Sequence, residues 1–209
     1  MGEDIYDKGL ISVEEANHIL IFSHFANPAF ILTTIAIYFF NNQRLGIFLL
    51  IIHYLSNFIL GFCFRFFIKL DTNKDFSFSD VSFGNVFIGS IKNAIDTIIT
   101  ICGVIVVFML LSSIIINAFS FDGYTNMIIK GFFEITIGIE SISKLDLTNS
   151  SKLIISSMIL AFGGISVHVQ VLSQIVDTKI KYIYFFMGRM FQMIISLILA
   201  YLFSLLFTI

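Results

Sequence analysis

Long apolar runs separated by short polar breaks fill this chain, and several runs carry polar groups where lipid would reject them. Four are wide enough to cross a bilayer. The clearest interruptions are Phe133-Glu134-Ile135-Thr136-Ile137-Gly138 and Phe162-Gly163-Gly164-Ile165-Ser166-Val167-His168-Val169-Gln170. Glutamate, histidine and glutamine are costly at membrane depth, and irregular backbone survives there only inside protein or beside a water-filled cavity. The pattern predicts an all-α integral membrane protein with a polar interior. Its transmembrane helices are joined by broken or re-entrant helical hairpins, as in transporters.

Individual elements follow from local signals. Ser12-Val13-Glu14-Glu15 has the form of a capping box and opens an amphipathic helix to about Ala26, with Ile19, Phe22 and Phe25 on one side. Asn27-Pro28 ends or kinks it, because proline lacks a donor and disfavours helix at the preceding residue. The apolar piece from Pro28 to Phe40 is short of the ~20 residues a crossing needs, so a broken helix or re-entrant arm is predicted. After a turn at 41–44, Leu45 to Phe67 can cross, with His53, Ser56 and Asn57 on one helical stripe. Residues 68–82 form the most polar loop.

Phe83 to Ile98 predicts an interfacial or cavity-facing helix start that continues as a span through Ala118. Lys92 and Asp96 sit four apart there and are expected to neutralise each other. Asn126 to Ile139 is a short apolar piece containing Glu134, read as taking the chain back across. Lys152 to Phe162 is a half-length helix stopped by Gly163-Gly164. Ile165 to Val176 is read as a re-entrant second arm, and Ile183 to Phe207 as a full span with Arg189 and Gln192 near its start. On that topology the basic clusters Arg65/Lys69/Lys74, Lys144/Lys152 and Lys179/Lys181 all face the cytoplasm. A faint internal echo accompanies it: Pro28 precedes Asn41, and Gly164 precedes Asp177, by the same interval. Each pair brackets an arm, a turn and a long span, the pattern of a repeat-built transporter.

Composition narrows the class. Hydrophobic residues make up 57% and charged residues 12%, with mean hydropathy +0.96; soluble domains carry about 25% charged residues. A net charge of −2 offers no basic surface for nucleic acid. Cys63 and Cys102 lie in apolar runs and read as buried free thiols. The first eighteen residues are polar and acidic, with no secretory-leader pattern, and the abrupt start reads as if something upstream were missing. No Gly-x-Ser-x-Gly elbow, P-loop or His-Glu-x-x-His motif is present, so no enzyme is expected. Glu15 and His18 have the spacing of a carboxylate metal site, but one copy is weak support, and neither metal nor cofactor is expected.

The string from Gly163 to Val171, followed by Phe185-Phe186-Met187-Gly188-Arg189, resembles the C-terminal part of the YlbJ family of sporulation integral membrane proteins. Gly131 to Gly138 and Gly9 to Ala16 resemble it too. That family belongs to the nucleoside-recognition, or Gate-domain, group, with concentrative nucleoside transporters and the membrane part of ferrous-iron transporters. The resemblance implies an endospore-forming bacterium of the Firmicutes, expression in the sporulating mother cell, and a transporter-like fold. It implies a single membrane domain without a soluble one, with 12–67 as a first broken-helix unit and 83–209 as a second, Gate-like unit. The chain departs from the family in length, in lacking a Gly-Tyr-Pro-x-Gly-Ala-Lys motif, and in reading Asn27-Pro28 where relatives read Gly-Pro. A fragment, a split-gene half or a reduced relative is expected, completed by a missing N-terminal half or by homo-oligomerisation.

Candidate lining residues each have two readings. Glu134, beside Thr136 and flanked by Gly131 and Gly138, can bind a coupling ion or a donor-rich solute, or can be a structural carboxylate paired with Arg189. His168 and Gln170, with Ser166, follow a helix break and can face a cavity or lock a hairpin. Asn27 can present its amide to a ligand or satisfy broken-helix carbonyls. His53 and Asn57 fit inter-helix glue. The expectation is a transporter-like protein that moves or gates a small polar solute, nucleoside-like or other, across the bilayer. The alternative is a non-transporting scaffold for spore cortex or coat assembly.

Overall fold

A computed structural model describes residues 11–67 and 83–207, and all its regular structure is helical. The predicted loop 68–82, with Lys69 and Lys74, lies outside the described residues, as do Gly9 and Leu10. Ser12 closes the predicted capping box: Glu15 N donates to its Oγ at 3.2 Å, and its own N–H donates to Glu15 Oε2 at 2.7 Å. Helix α1 is Val13–Phe22. It ends before the predicted Ala26, because the backbone unwinds over residues 23–27, ahead of Pro28. A π-helical arm, Phe30–Phe39, follows. Its wide winding persists to the end, where Phe40 N donates to Ile35 O at 3.0 Å.

Asn42 caps α2, Gln43–Phe64, by accepting from Leu45 N. The long helix α3 is Phe83–Phe119. Helices α4, Gly123–Phe133, and α5, Ile135–Ser143, meet at Glu134. Helices α6, Asn149–Phe162, and α7, Gly164–Ile175, meet at Gly163, whose φ of +93° suits glycine. Helix α8 is Tyr182–Leu206.

Helix α8 organises the packing. Helix α6 lies along one side of it, and α1 and α2 along the others. The π-helical arm folds back on α2, where Gly46 is essential: a Cβ there would collide with Ala36 Cβ. Gly188 does the same for α1, because a Cβ would strike the Ile21 carbonyl.

Two predictions exchange roles. Residues 126–139 do not cross. At 11 and 9 residues, α4 and α5 are about 16 and 14 Å long, and they pack on each other with Gly131 and Gly138 in backbone contact. They form the re-entrant hairpin. Conversely, α7 does not double back along α6; it turns to α3 and α4. Together α6 and α7 run 27 residues, Asn149–Ile175, long and apolar enough to cross. Spacing alone could not separate these cases, since both are two short apolar helices around a glycine-rich break.

The exchange also moves a charge cluster. Arg65 and Lys179/Lys181 lie at one end of the bundle, where Asn17 Oδ1 accepts from Lys181 N at 2.7 Å. Lys144 and Lys152 lie at the other, with Lys152 over the Phe40 ring at 6.0 Å. Lys144 and Lys152 therefore do not share a side with Arg65, Lys179 and Lys181. Cys63 and Cys102 are free but exposed on helix faces rather than buried; an apolar run in a membrane helix need not face protein. Lys92 and Asp96 are both exposed and form no ion pair among the described residues.

Gly46→Leu is expected to lower stability by ~1–3 kcal/mol or more, as overpacking does. Gly103→Ala, with open space around it, should be neutral or stabilising. Thermal unfolding of the detergent-solubilised protein tests both.

Candidate functional site

The unwound segment 23–27 exposes backbone groups that nothing in its own helix can satisfy. Side chains from α2 and α8 take them over. Arg189 Nη1 donates to His24 O and Nη2 to Ile21 O, both at 3.2 Å. Asn57 Nδ2 donates to the same His24 carbonyl at 3.0 Å. Ala26 N donates to His53 Nε2 at 3.0 Å, and Tyr54 OH to Ala26 O at 3.1 Å. Because Nε2 accepts, the neutral His53 ring carries its proton on Nδ1. Arg189 is fully buried, at 0% exposure. It binds the C-terminal, negative end of α1, the end that favours a cation, and its guanidinium stacks over Phe185 at 5.3 Å.

The polar stripe continues along α2 and α8. Gln192 Nε2 donates to His53 O and Ser56 Oγ, and Ser196 Oγ donates to Ser56 Oγ at 2.9 Å. The predicted inter-helix role of His53 and Asn57 is therefore joined to a second one, holding the first break. Arg189 is seven residues into α8, about 10 Å from its start. The break is thus held in the first third of the helix.

The second break lies close by. His168 is 3% exposed. Its Nε2 lies 3.1 Å from the Phe162 carbonyl and its Nδ1 2.6 Å from Tyr182 OH. A carbonyl only accepts, so Nε2 carries the proton and Nδ1 accepts from the tyrosine. His168 and His24 both approach the Phe185 ring, at 5.2 and 5.9 Å. One aromatic ring therefore touches both breaks and Arg189.

Glu134, 3% exposed, sits at the tip of the α4–α5 hairpin. Its Oε2 accepts from Ile137 N at 3.0 Å and its Oε1 from Thr136 Oγ1 at 3.1 Å. It is the N-cap of α5, where the helix dipole favours a negative charge. The tip fits against the second break: a Cβ on Gly164 would lie 3.2 Å from Glu134 N and 3.1 Å from Phe133 O.

The Glu134–Arg189 pair of the structural reading does not form. Each charge is taken by a helix terminus instead, a partner that residue spacing does not reveal. Ser166 is buried in the first turn of α7, and its hydroxyl has no partner among the described residues. Asn27 is exposed and accepts from Ala29 N at 2.8 Å, so it caps the arm rather than facing the interior.

Gln170 does line a cavity. A space of about 200 Å³ between α3 and α7 is bounded by Asp96, Thr97, Thr100, Gln170, Ser173 and Gln174. A second, of about 140 Å³ between α1 and α7, is lined by Ser23, His24, Gln174 and Phe185 among others. Gln174 borders both. Asp96, Thr97 and Thr100 were legible as a polar stripe of α3, but assigning Asp96 to Lys92 hid it, and spacing alone does not reveal that α7 faces it. Neither cavity is lined by Glu134 or Arg189.

The apolar helices long enough to cross a membrane, the buried polar stripe and the satisfied breaks define an all-α integral membrane protein. The chain is similar to the Sporulation integral membrane protein YlbJ of Bacillus subtilis (strain 168), with 27% identity over an alignment of 220 residues covering 87% of this chain. That similarity supports its assignment to the YlbJ family. The alignment covers 54% of the relative, so the chain spans about half the length of the curated protein it matches. No protein-family profile matches it, and no solved structure matches it.

Arg189→Leu is expected to destabilise the protein by roughly 1–3 kcal/mol, because the Ile21 carbonyl loses its donor while His24 keeps Asn57. Arg189→Lys should recover only part, because an ammonium cannot present the planar fork. Gln170→Ala should stay within about 0.5 kcal/mol. Thermal unfolding of the three variants separates the clamp from the cavity wall.

Proposed function

We propose that this chain is the transporter-like half of a sporulation-associated membrane protein that moves or gates a small polar solute. One observation carries the reading. Two interrupted helices meet around Phe185; a largely apolar cavity between α1 and α7 reaches them, and a cavity lined by polar residues between α3 and α7 shares its Gln174. Broken helices beside a polar cavity are the arrangement by which secondary transporters hold a solute and rearrange around it. In this reading Asp96, Thr97, Thr100, Gln170 and Gln174 contact the solute. Glu134, Thr136, Ser166, His168 and Arg189 belong to the supports of the moving breaks. The lining offers hydroxyls, amides and one carboxylate, which suits a neutral or cationic polar solute such as a nucleoside. The end bearing Arg65, Lys179 and Lys181 faces the cytoplasm.

A second reading has its own support. The charges of Glu134 and Arg189 are each engaged at a helix terminus, and His168 is hydrogen-bonded through both ring nitrogens. Such groups also suit a scaffold whose polar interior is architectural.

Proteoliposomes carrying the purified chain, alone and with any companion half, are expected to take up at least one solute from a panel of nucleosides and other small polar compounds. Gln174→Leu, which borders both cavities, should lower that uptake at least tenfold, and Glu134→Gln should lower it as well. If no solute moves, and Gln174→Leu still restores spores to a deletion strain, the scaffold reading holds instead.

A further inference from the structure

Beside the first break, where Tyr54 and Asn57 also border it, a groove of about 840 Å³ runs along α2 from Ile51 to Arg65. Its walls include Phe22 and Phe25 beside the first break, and Phe58 and Phe62 on α2 itself. Gly61 leaves its floor open. Ile51 and Arg65 are fourteen positions apart, about 21 Å along the helix, whereas one leaflet of the hydrocarbon core is about 15 Å deep. Helix α2 is 22 residues long, about 33 Å, so Arg65 at its end stands at headgroup level. Arg65 is exposed, and its guanidinium forms no ion pair among the described residues.

We propose that this groove is a binding site for one anionic phospholipid, with an acyl chain between Phe22 and Phe58 and the phosphate on Arg65. Apolar walls and charge agree on that occupant. A bare apolar helix in the same groove would leave the guanidinium at its mouth uncompensated, whereas a phosphate takes two of its N–H donors in the fork geometry that suits arginine. The site is independent of the solute cavities, because its lining shares no residue with theirs.

The full chain in detergent, titrated with phosphatidylglycerol or phosphatidylcholine and followed by native mass spectrometry, tests the proposal. Phosphatidylglycerol is expected to bind about fivefold more tightly, the contribution of one basic side chain to an anionic lipid. Arg65→Gln should abolish the preference, weakening phosphatidylglycerol more than phosphatidylcholine. Gly61→Leu should weaken both lipids at least tenfold. Gly61→Ala, whose methyl group meets the Phe22 ring at an ordinary 3.4 Å, should change neither. Equal binding of the two lipids, a preference that survives Arg65→Gln, or a photoreactive group at position 58 that labels a protein helix rather than lipid, overturns it.

Discussion

Arg189 brings a full charge into the bundle with no carboxylate in ion-pair reach among the described residues, and the carbonyls of Ile21 and His24 receive it. Much of the architecture depends on that contact. Helix α1 can stop at Phe22, inside the bundle, only because its last carbonyls find donors on a neighbour. Gly188, one residue earlier, lets α1 approach closely enough for the guanidinium to reach. The adjacent pair Gly188-Arg189 thus combines a missing side chain and a long one, and either alone would leave the break unsupported.

The second break is held by different chemistry about two turns nearer the start of α8. His168 bridges the Phe162 carbonyl at the end of α6 and the Tyr182 hydroxyl at the start of α8. Phe185 lies between that bridge and the Arg189 clamp. A shift of α8 by even one side chain would disturb both supports together, so the two breaks are mechanically linked through one helix. The cavities lie between helices that the clamps do not join directly, α1 with α7 and α3 with α7. Around α7 the packing is sparse, while α6, α2 and α8 are tightly engaged.

The membrane class, the capping box at Ser12, the stop at Gly163-Gly164 and the long spans were legible from the sequence, because hydropathy, proline, glycine and N-cap residues act locally. The burial of Glu134, His168 and Arg189 was legible too, since charged groups on apolar helices seldom face lipid. Their partners were not. Helix termini attract charge through peptide groups that carry no sequence signature, so Glu134 and Arg189 were matched to each other instead of to α5 and α1. The crossing and re-entrant segments were exchanged for a related reason. Whether two short helices fold together or apart depends on side chains in neighbouring elements, here the contact between Gly131 and Gly138.

That glycine contact has a mechanical consequence. Both legs of the α4–α5 hairpin return to the face they came from, so the hairpin crosses nothing and is threaded through nothing. Its tip rests against Gly164, whose missing side chain makes room for the Phe133 carbonyl and Glu134 amide. The two glycines bring its legs close together, and its tip covers the start of α7 at Gly164 without being part of any helix long enough to span the bilayer.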